Sequence, residues 1–69
     1  QKDYKTVLQE KLQENGNINI EYRIIDEKGP DHSKTFVAEV LANGKLLAIG
    51  EGSSKKHAEM DAARKALGE

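Results

Sequence analysis

The residues best placed to do chemistry in this 69-residue chain are Lys55 and Lys56, followed by His57, at the point where a helical pattern begins. The N-terminal end of a helix carries roughly half a positive charge, so its first turn favours Asp or Glu. Two lysines there have the wrong sign for stability and cost about 0.3–1 kcal/mol each when exposed. Beside the unpaired backbone N–H groups of a first turn they form a site for an anion, and phosphate is the natural candidate. A plainer reading of the same residues is a solvated pair of charges that happens to lie near a helix cap.

Two weaker features accompany them. Residues 29–34 combine a Gly-Pro turn with His32 and Lys34, while Asp31 offsets one charge. Alone this is an ordinary hairpin loop, and His32 could simply cap it. At 100° per residue Thr6, Gln9, Glu10 and Gln13 share one helix face, able to donate and accept hydrogen bonds, as many surface helices can. Enzyme chemistry finds little material. His32 and His57 lack metal-ligand spacing, and the chain has no cysteine to join them. There is no Walker-type phosphate loop and no nucleophile elbow, and the carboxylates are scattered. Neither a catalytic residue nor a metal ligand is expected.

Composition sharpens the problem. Charged residues make up 33% of the chain yet nearly cancel, leaving a formal net charge of −1. Polyanion binders are usually basic, so the case for phosphate rests on where the positive charges sit. Without cysteine there is no disulfide and no sign of an oxidising compartment. No apolar run approaches the roughly 20 residues of a membrane span, and no signal-peptide pattern is present. A cytoplasmic protein with no membrane and no small-molecule substrate is the expectation. The length suits one domain over residues 1–69. The first residue is Gln rather than Met, which points to a domain excised from a longer chain.

The elements that must position these residues can be read from periodicity. Tyr4, Val7, Leu8 and Leu12 mark a helix over residues 3–15, with Asp3 as N-cap and Asn15-Gly16 as its stop. The period changes to two over residues 18–26, where Ile20, Tyr22 and Ile24 share one side. Residues 28–33 break that strand. A second strand follows over residues 35–42, with Phe36, Ala38 and Val40 alternating against Val37, Glu39 and Leu41. Asn43-Gly44 is a strong hairpin signal, and residues 45–49 form the third strand. Residues 50–53 read as a flexible connector into a helix over 54–67, capped by Ser54 and buried through Ala58, Ala62, Ala63, Ala66 and Leu67. The expected fold class is α+β in the order α-β-β-β-α, a three-stranded antiparallel sheet with two helices packed on one face.

These residues together carry a family resemblance. Tyr22, Gly29-Pro30-Asp31-His32, Phe36, the run from Gly50 through Glu59 and then Ala62-Ala63 resemble the double-stranded-RNA-binding domain. The opening Asp3-Tyr4-Lys5-Thr6-Val7-Leu8-Gln9-Glu10 is similar to the C-terminal RNA-binding domain of bacterial ribonuclease III. The resemblance implies three RNA contacts: Thr6, Gln9 and Glu10; Pro30, Asp31 and His32; and Ser54, Lys55 and Lys56. The deep major groove of A-form RNA resists reading by side chains, whereas its wide minor groove displays 2′-hydroxyls. A domain of this class spans about 16 base pairs, touching two minor grooves and the phosphates between them. The first helix and the loop are assigned to separate minor grooves, and the lysines to the intervening phosphates.

The expected function is therefore binding of duplex RNA with little sequence specificity, positioning it for a parent ribonuclease III active in rRNA and mRNA processing. The alternative is a protein-interaction module on the same fold with weak or no RNA binding. The fragment itself is not expected to be an enzyme and needs no cofactor, whereas the parent's nuclease part implies Mg²⁺ and a homodimer, with the isolated domain monomeric. Two departures bear on strength: Glu59 and Ser53 stand where the family often carries basic residues, which predicts a thin positive patch.

Overall fold

The computed structural model describes residues 2–69 and shows the expected order: α1 (Tyr4–Leu12), a 3₁₀ turn (Gln13–Asn15), β1 (Ile20–Lys28), β2 (Thr35–Ala42), β3 (Lys45–Gly52) and α2 (Lys55–Ala66). The strands form one antiparallel sheet in the order β1-β2-β3. Among the described residues, no helix is long and apolar enough to cross a membrane.

The start of α1 is set by Asp3, whose Oδ1 accepts the Thr6 N–H at 3.2 Å. That hydrogen bond, reinforced by the Thr6 side chain, holds the Asp3 carboxyl below the usual carboxylate range. The helix ends earlier than its apolar spacing implies. Gln13 turns back on the chain, its Nε2 donating to the Ile18 carbonyl (2.9 Å) while its Oε1 accepts from the Ile18 N–H (3.2 Å). This side-chain bracket tightens the last turn and removes Gln13 from the polar face. It also delays β1, expected from residue 18, until Ile20. At its other end β1 runs two residues past Asp26, because Glu27 and Lys28 still pair with Phe36 and Thr35 across a register shift between Ile24 and Asp26.

The β2–β3 turn is as read: Asn43 (φ 51°) and Gly44 (φ 82°) are both left-handed, as a type I′ hairpin requires. The segment after it is not. Residues 50–53 were expected to be a flexible connector, but β3 continues through Gly52, with Gly50 paired to Ala38 and Gly52 to Phe36. The glycines are there for close approach rather than freedom. A Cβ on Gly52 would lie 2.6 Å from the Ala58 nitrogen, and one on Gly50 would run into the backbone of Asp61 and Ala62. Small residues face them from α2, where Ala58, Ala62 and Ala63 are fully buried. The Glu51 N–H also donates to Asp61 Oδ2 at 2.9 Å, and Arg64 Nη2 donates to Asp61 Oδ1 at 2.7 Å. Burial opposes ionisation of Asp61, but these donors outweigh it and hold the carboxyl below its ordinary value.

Both helices pack on one face of the sheet around Leu8, Val40, Ala62 and Ala63, with Tyr4, Leu12, Ile20, Tyr22 and Leu67 at the margin. The core is small, and Val40 is its largest fully buried side chain. α2 lies along β3 and β2, whereas α1 packs chiefly on α2.

Candidate nucleic-acid interface

Helix α2 begins at an extended Ser54 (φ −143°, ψ 165°) whose Oγ accepts the His57 N–H at 3.0 Å. Ser54 thus has its hydroxyl oxygen engaged as the cap, while its neighbour Ser53 places Oγ 3.2 Å from His57 Nδ1. The cap fixes where the next two side chains emerge. Lys55 and Lys56 are exposed, and the first turn contains no acidic residue. Neither lysine forms an ion pair among the described residues, although Lys2, Lys5, Arg23, Lys34, Arg64 and Lys65 all do. Two adjacent ammonium groups, neither held in an ion pair though the Asp3 carboxylate lies within electrostatic reach of Lys56, therefore project from a helix N-terminus, an arrangement suited to an anion.

The β1–β2 loop is built differently. The Ser33 N–H donates to the Pro30 carbonyl at 2.9 Å, closing a turn that leaves Pro30, Asp31 and His32 exposed. Lys34 does not extend the positive surface. Its Nζ lies 3.2 Å from Glu27 Oε1 and 3.9 Å from Asp31 Oδ1, so its charge is matched locally. On α1, Thr6, Gln9 and Glu10 are exposed, and the side chains of Gln9 and Glu10 carry no intramolecular hydrogen bond among the described residues.

Two of these groups are joined to the third. Phe36 pairs with Glu27 on one side and with Gly52 on the other, so the loop and the start of α2 leave the sheet at the same end. The starts of α1 and α2 face each other across an open cleft lined by Lys2, Asp3, Tyr4, Lys56, His57 and Met60. The start of α2 thus shares a sheet end with the loop and a cleft with the start of α1. Residues that sequence reasoning passed over hold this arrangement: Asp61 ties α2 to β3, and Lys5 ties α1 to α2 through Glu59 at 2.6 Å. No local pattern marks such pairs, because their members lie on different elements. Glu59 is thus committed to Lys5 and is not a bare negative charge in the patch. Among the described residues, no group of three His, Cys, Asp or Glu is placed to hold a metal ion.

A family model described as "Double-stranded RNA binding motif" matches residues 4–69. The chain belongs to this family. Its helix–three strands–helix order is the family's fold, and the ligand is double-stranded RNA. Among curated proteins, Ribonuclease 3 of Enterococcus faecalis (strain ATCC 700802 / V583) is 57% identical over 65 residues, covering 94% of this chain and 28% of that protein. Ribonuclease 3 of Streptococcus pyogenes serotype M3 (strain SSI-1) is 54% identical over 66 residues, covering 96% of this chain and 29% of that protein. The chain therefore spans under a third of the length of these relatives.

Proposed function

We propose that this double-stranded-RNA-binding domain grips an A-form duplex at three places and presents it to the nuclease part of a ribonuclease III, of which residues 1–69 form one domain. Lys55 and Lys56 take phosphates flanking the major groove, with Ser54 setting the helix start from which they project. Thr6, Gln9 and Glu10 reach one minor groove, and Pro30, Asp31 and His32 the next. Gln9 and Glu10 suit 2′-hydroxyls, which both donate and accept, whereas Glu10 would repel a phosphate. Cleavage belongs to the parent, an endoribonuclease using Mg²⁺ as a homodimer in the cytoplasm and acting in rRNA and mRNA processing. This domain contributes binding alone and remains monomeric by itself.

The observation that carries this reading is the pair of exposed lysines, free of ion pairs among the described residues, at the capped start of α2. Its test is the salt dependence of binding to a duplex of about 16 base pairs. Replacing Lys55 and Lys56 by Ala is expected to weaken binding to every sequence and to lower the magnitude of the log K against log[salt] slope by about 1–2. An unchanged slope removes the lysines from the phosphate contact. Equal affinity for DNA of the same length removes the 2′-hydroxyl contacts.

A second reading is a protein-interaction module, favoured by the apolar side chains on strands β1 and β3: Ile25, Leu46, Leu47 and Ile49 are each at least a third exposed. Titration with duplex RNA by NMR separates the two. Shifts confined to the sheet, with none at Thr6, His32 or Lys55, would favour the module.

A further inference from the structure

One cluster outside the three contact groups joins α1, β1 and α2. Lys5 Nζ donates to Glu59 Oε1 at 2.6 Å and stands over the Tyr22 ring, 4.5 Å from its centroid. Both charged side chains are partly withdrawn from solvent, 36% and 23% exposed. The Tyr22 hydroxyl is buried with no protein hydrogen-bond partner among the described residues. Burial, helped by the nearby Glu59 and Asp3 carboxylates, pushes the Tyr22 phenol up to about 12.

Each charge is unexpected where it stands. A module for a polyanion gains from every exposed lysine, yet Lys5 turns inward. Glu59 lies one turn after Lys55, where an unpaired carboxylate would repel phosphate. Paired, the two charges cancel and link the helices. The link matters because α1 rests chiefly on α2, through apolar contacts around Leu8, Ala62 and Ala63. Apolar contact is non-directional and sets only which face of a helix is buried, whereas an ion pair over a ring face is directional and sets the rotation more finely. Thr6 follows Lys5 directly and Gln9 lies one turn on, so any roll of α1 about its axis swings both relative to Lys55 and Lys56.

We propose that the Lys5–Glu59 pair, seated on Tyr22, is a clasp that fixes the rotation of α1 relative to the start of α2, making Glu59 a positioning residue for duplex RNA binding. The proposal rests on the assignment of Thr6, Gln9 and Glu10, and of Lys55 and Lys56, as contacts to one duplex.

The test compares E59K, K5E and the charge swap K5E/E59K in the 69-residue chain, using RNA duplexes of about 16 and about 8 base pairs, since only the longer spans both minor grooves. On charge alone E59K should bind both duplexes more tightly. The clasp predicts that E59K binds the longer duplex about five- to tenfold more weakly with no loss on the shorter one, a contrast that lowered stability would not produce. The swap has the wild-type net charge and restores the ion pair but not the cation over the Tyr22 ring face, so it is expected to recover part of the loss, to within about threefold of the wild type. Should E59K fold poorly, E59Q removes the charge at constant size. It is expected to weaken binding to the longer duplex about twofold to threefold, and the Lys5 methylene protons should lose their ring-current shift from Tyr22. Tighter binding of E59K to the longer duplex, or a swap no better than the worse single variant, overturns the clasp. Binding unaffected by K55A/K56A overturns the contact assignment instead, and the clasp falls with it.

Discussion

The start of α2 and the β1–β2 loop leave the same end of the sheet and are proposed to meet the same duplex, yet they are built in opposite ways. The α2 start is seated on β3 by backbone-close contacts at Gly50 and Gly52 and by the Asp61 carboxylate. The loop is shaped locally, by the backbone hydrogen bond from Ser33 to Pro30, a left-handed Gly29 and the Lys34 ion pairs to Glu27 and Asp31, and is exposed along its tip. The difference follows what each must do. A lysine acts on phosphate as a point charge, and its effect depends on where its helix is fixed. A loop entering a wide, shallow minor groove meets hydroxyls from many directions, and small adjustments suffice. On the proposed assignment, fold stability and phosphate contact are concentrated in one place, and the exposed tip of the loop can vary without endangering either.

That contrast can be broken most forcefully at Gly50. A methyl there meets the α2 backbone, so Gly50→Ala is expected to destabilise the fold by about 3 kcal/mol, read from denaturant unfolding. A loss under 1 kcal/mol would mean that α2 is not seated as described. Asp61→Asn should cost about 1–2 kcal/mol at neutral pH, because it weakens a charged acceptor for the Glu51 N–H and Arg64. The sign with pH follows from the lowered native value. Asp61 contributes fully above its unfolded pKa of 3.8, and the contribution is lost as pH falls through the lower folded value. The wild type and Asp61→Asn should therefore converge in stability on acidification, and parallel curves would remove Asp61 from the seat.

The loop should behave in the reverse sense. Asp31→Ala with His32→Ala is expected to change stability by less than about 0.5 kcal/mol while weakening duplex binding about fivefold, with no change in salt slope. A large loss of stability would show the loop to be structural. The last effect has the opposite sign. Lys55→Ala with Lys56→Ala should stabilise the isolated domain by about 0.3–1 kcal/mol per lysine in thermal unfolding, since both oppose the helix dipole.

Periodicity carried most of this architecture. Ile20, Tyr22 and Ile24 at period two and the Ala58–Ala62–Ala63 stripe marked α2 and, two residues out at each end, β1, because burial on one face leaves a repeating mark in the chain. Asn43-Gly44 placed the hairpin turn, since few residue pairs tolerate two left-handed positions. What was misread is glycine. Gly50 and Gly52 looked like a connector, because a missing side chain signals equally a free backbone and a neighbour pressed against it, and only the α2 backbone tells which. The end of α1 was misplaced for a related reason: Gln13 continues the polar face in sequence but is recruited to bracket Ile18. At the interface the sequence singled out Lys55 and Lys56 through their discord with the helix dipole. It left Glu59 looking like a flaw, since its partner Lys5 lies 54 positions away.

The contact between β3 and α2 has a further consequence when viewed as entropy. Its closest part, beside Asp61, is made by glycines and alanines, which have no rotamers to lose, so closing that part orders the backbone but costs almost no side-chain freedom. Lys55 and Lys56, carried just beyond it, keep theirs while exposed, up to about 2 kcal/mol each. In the proposed complex the domain completes its ordering in two instalments: the scaffold on folding, and the lysines only when a duplex arrives to hold them. Part of the disorder a chain normally surrenders on folding is here carried intact to the binding step, where it tempers the grip on RNA.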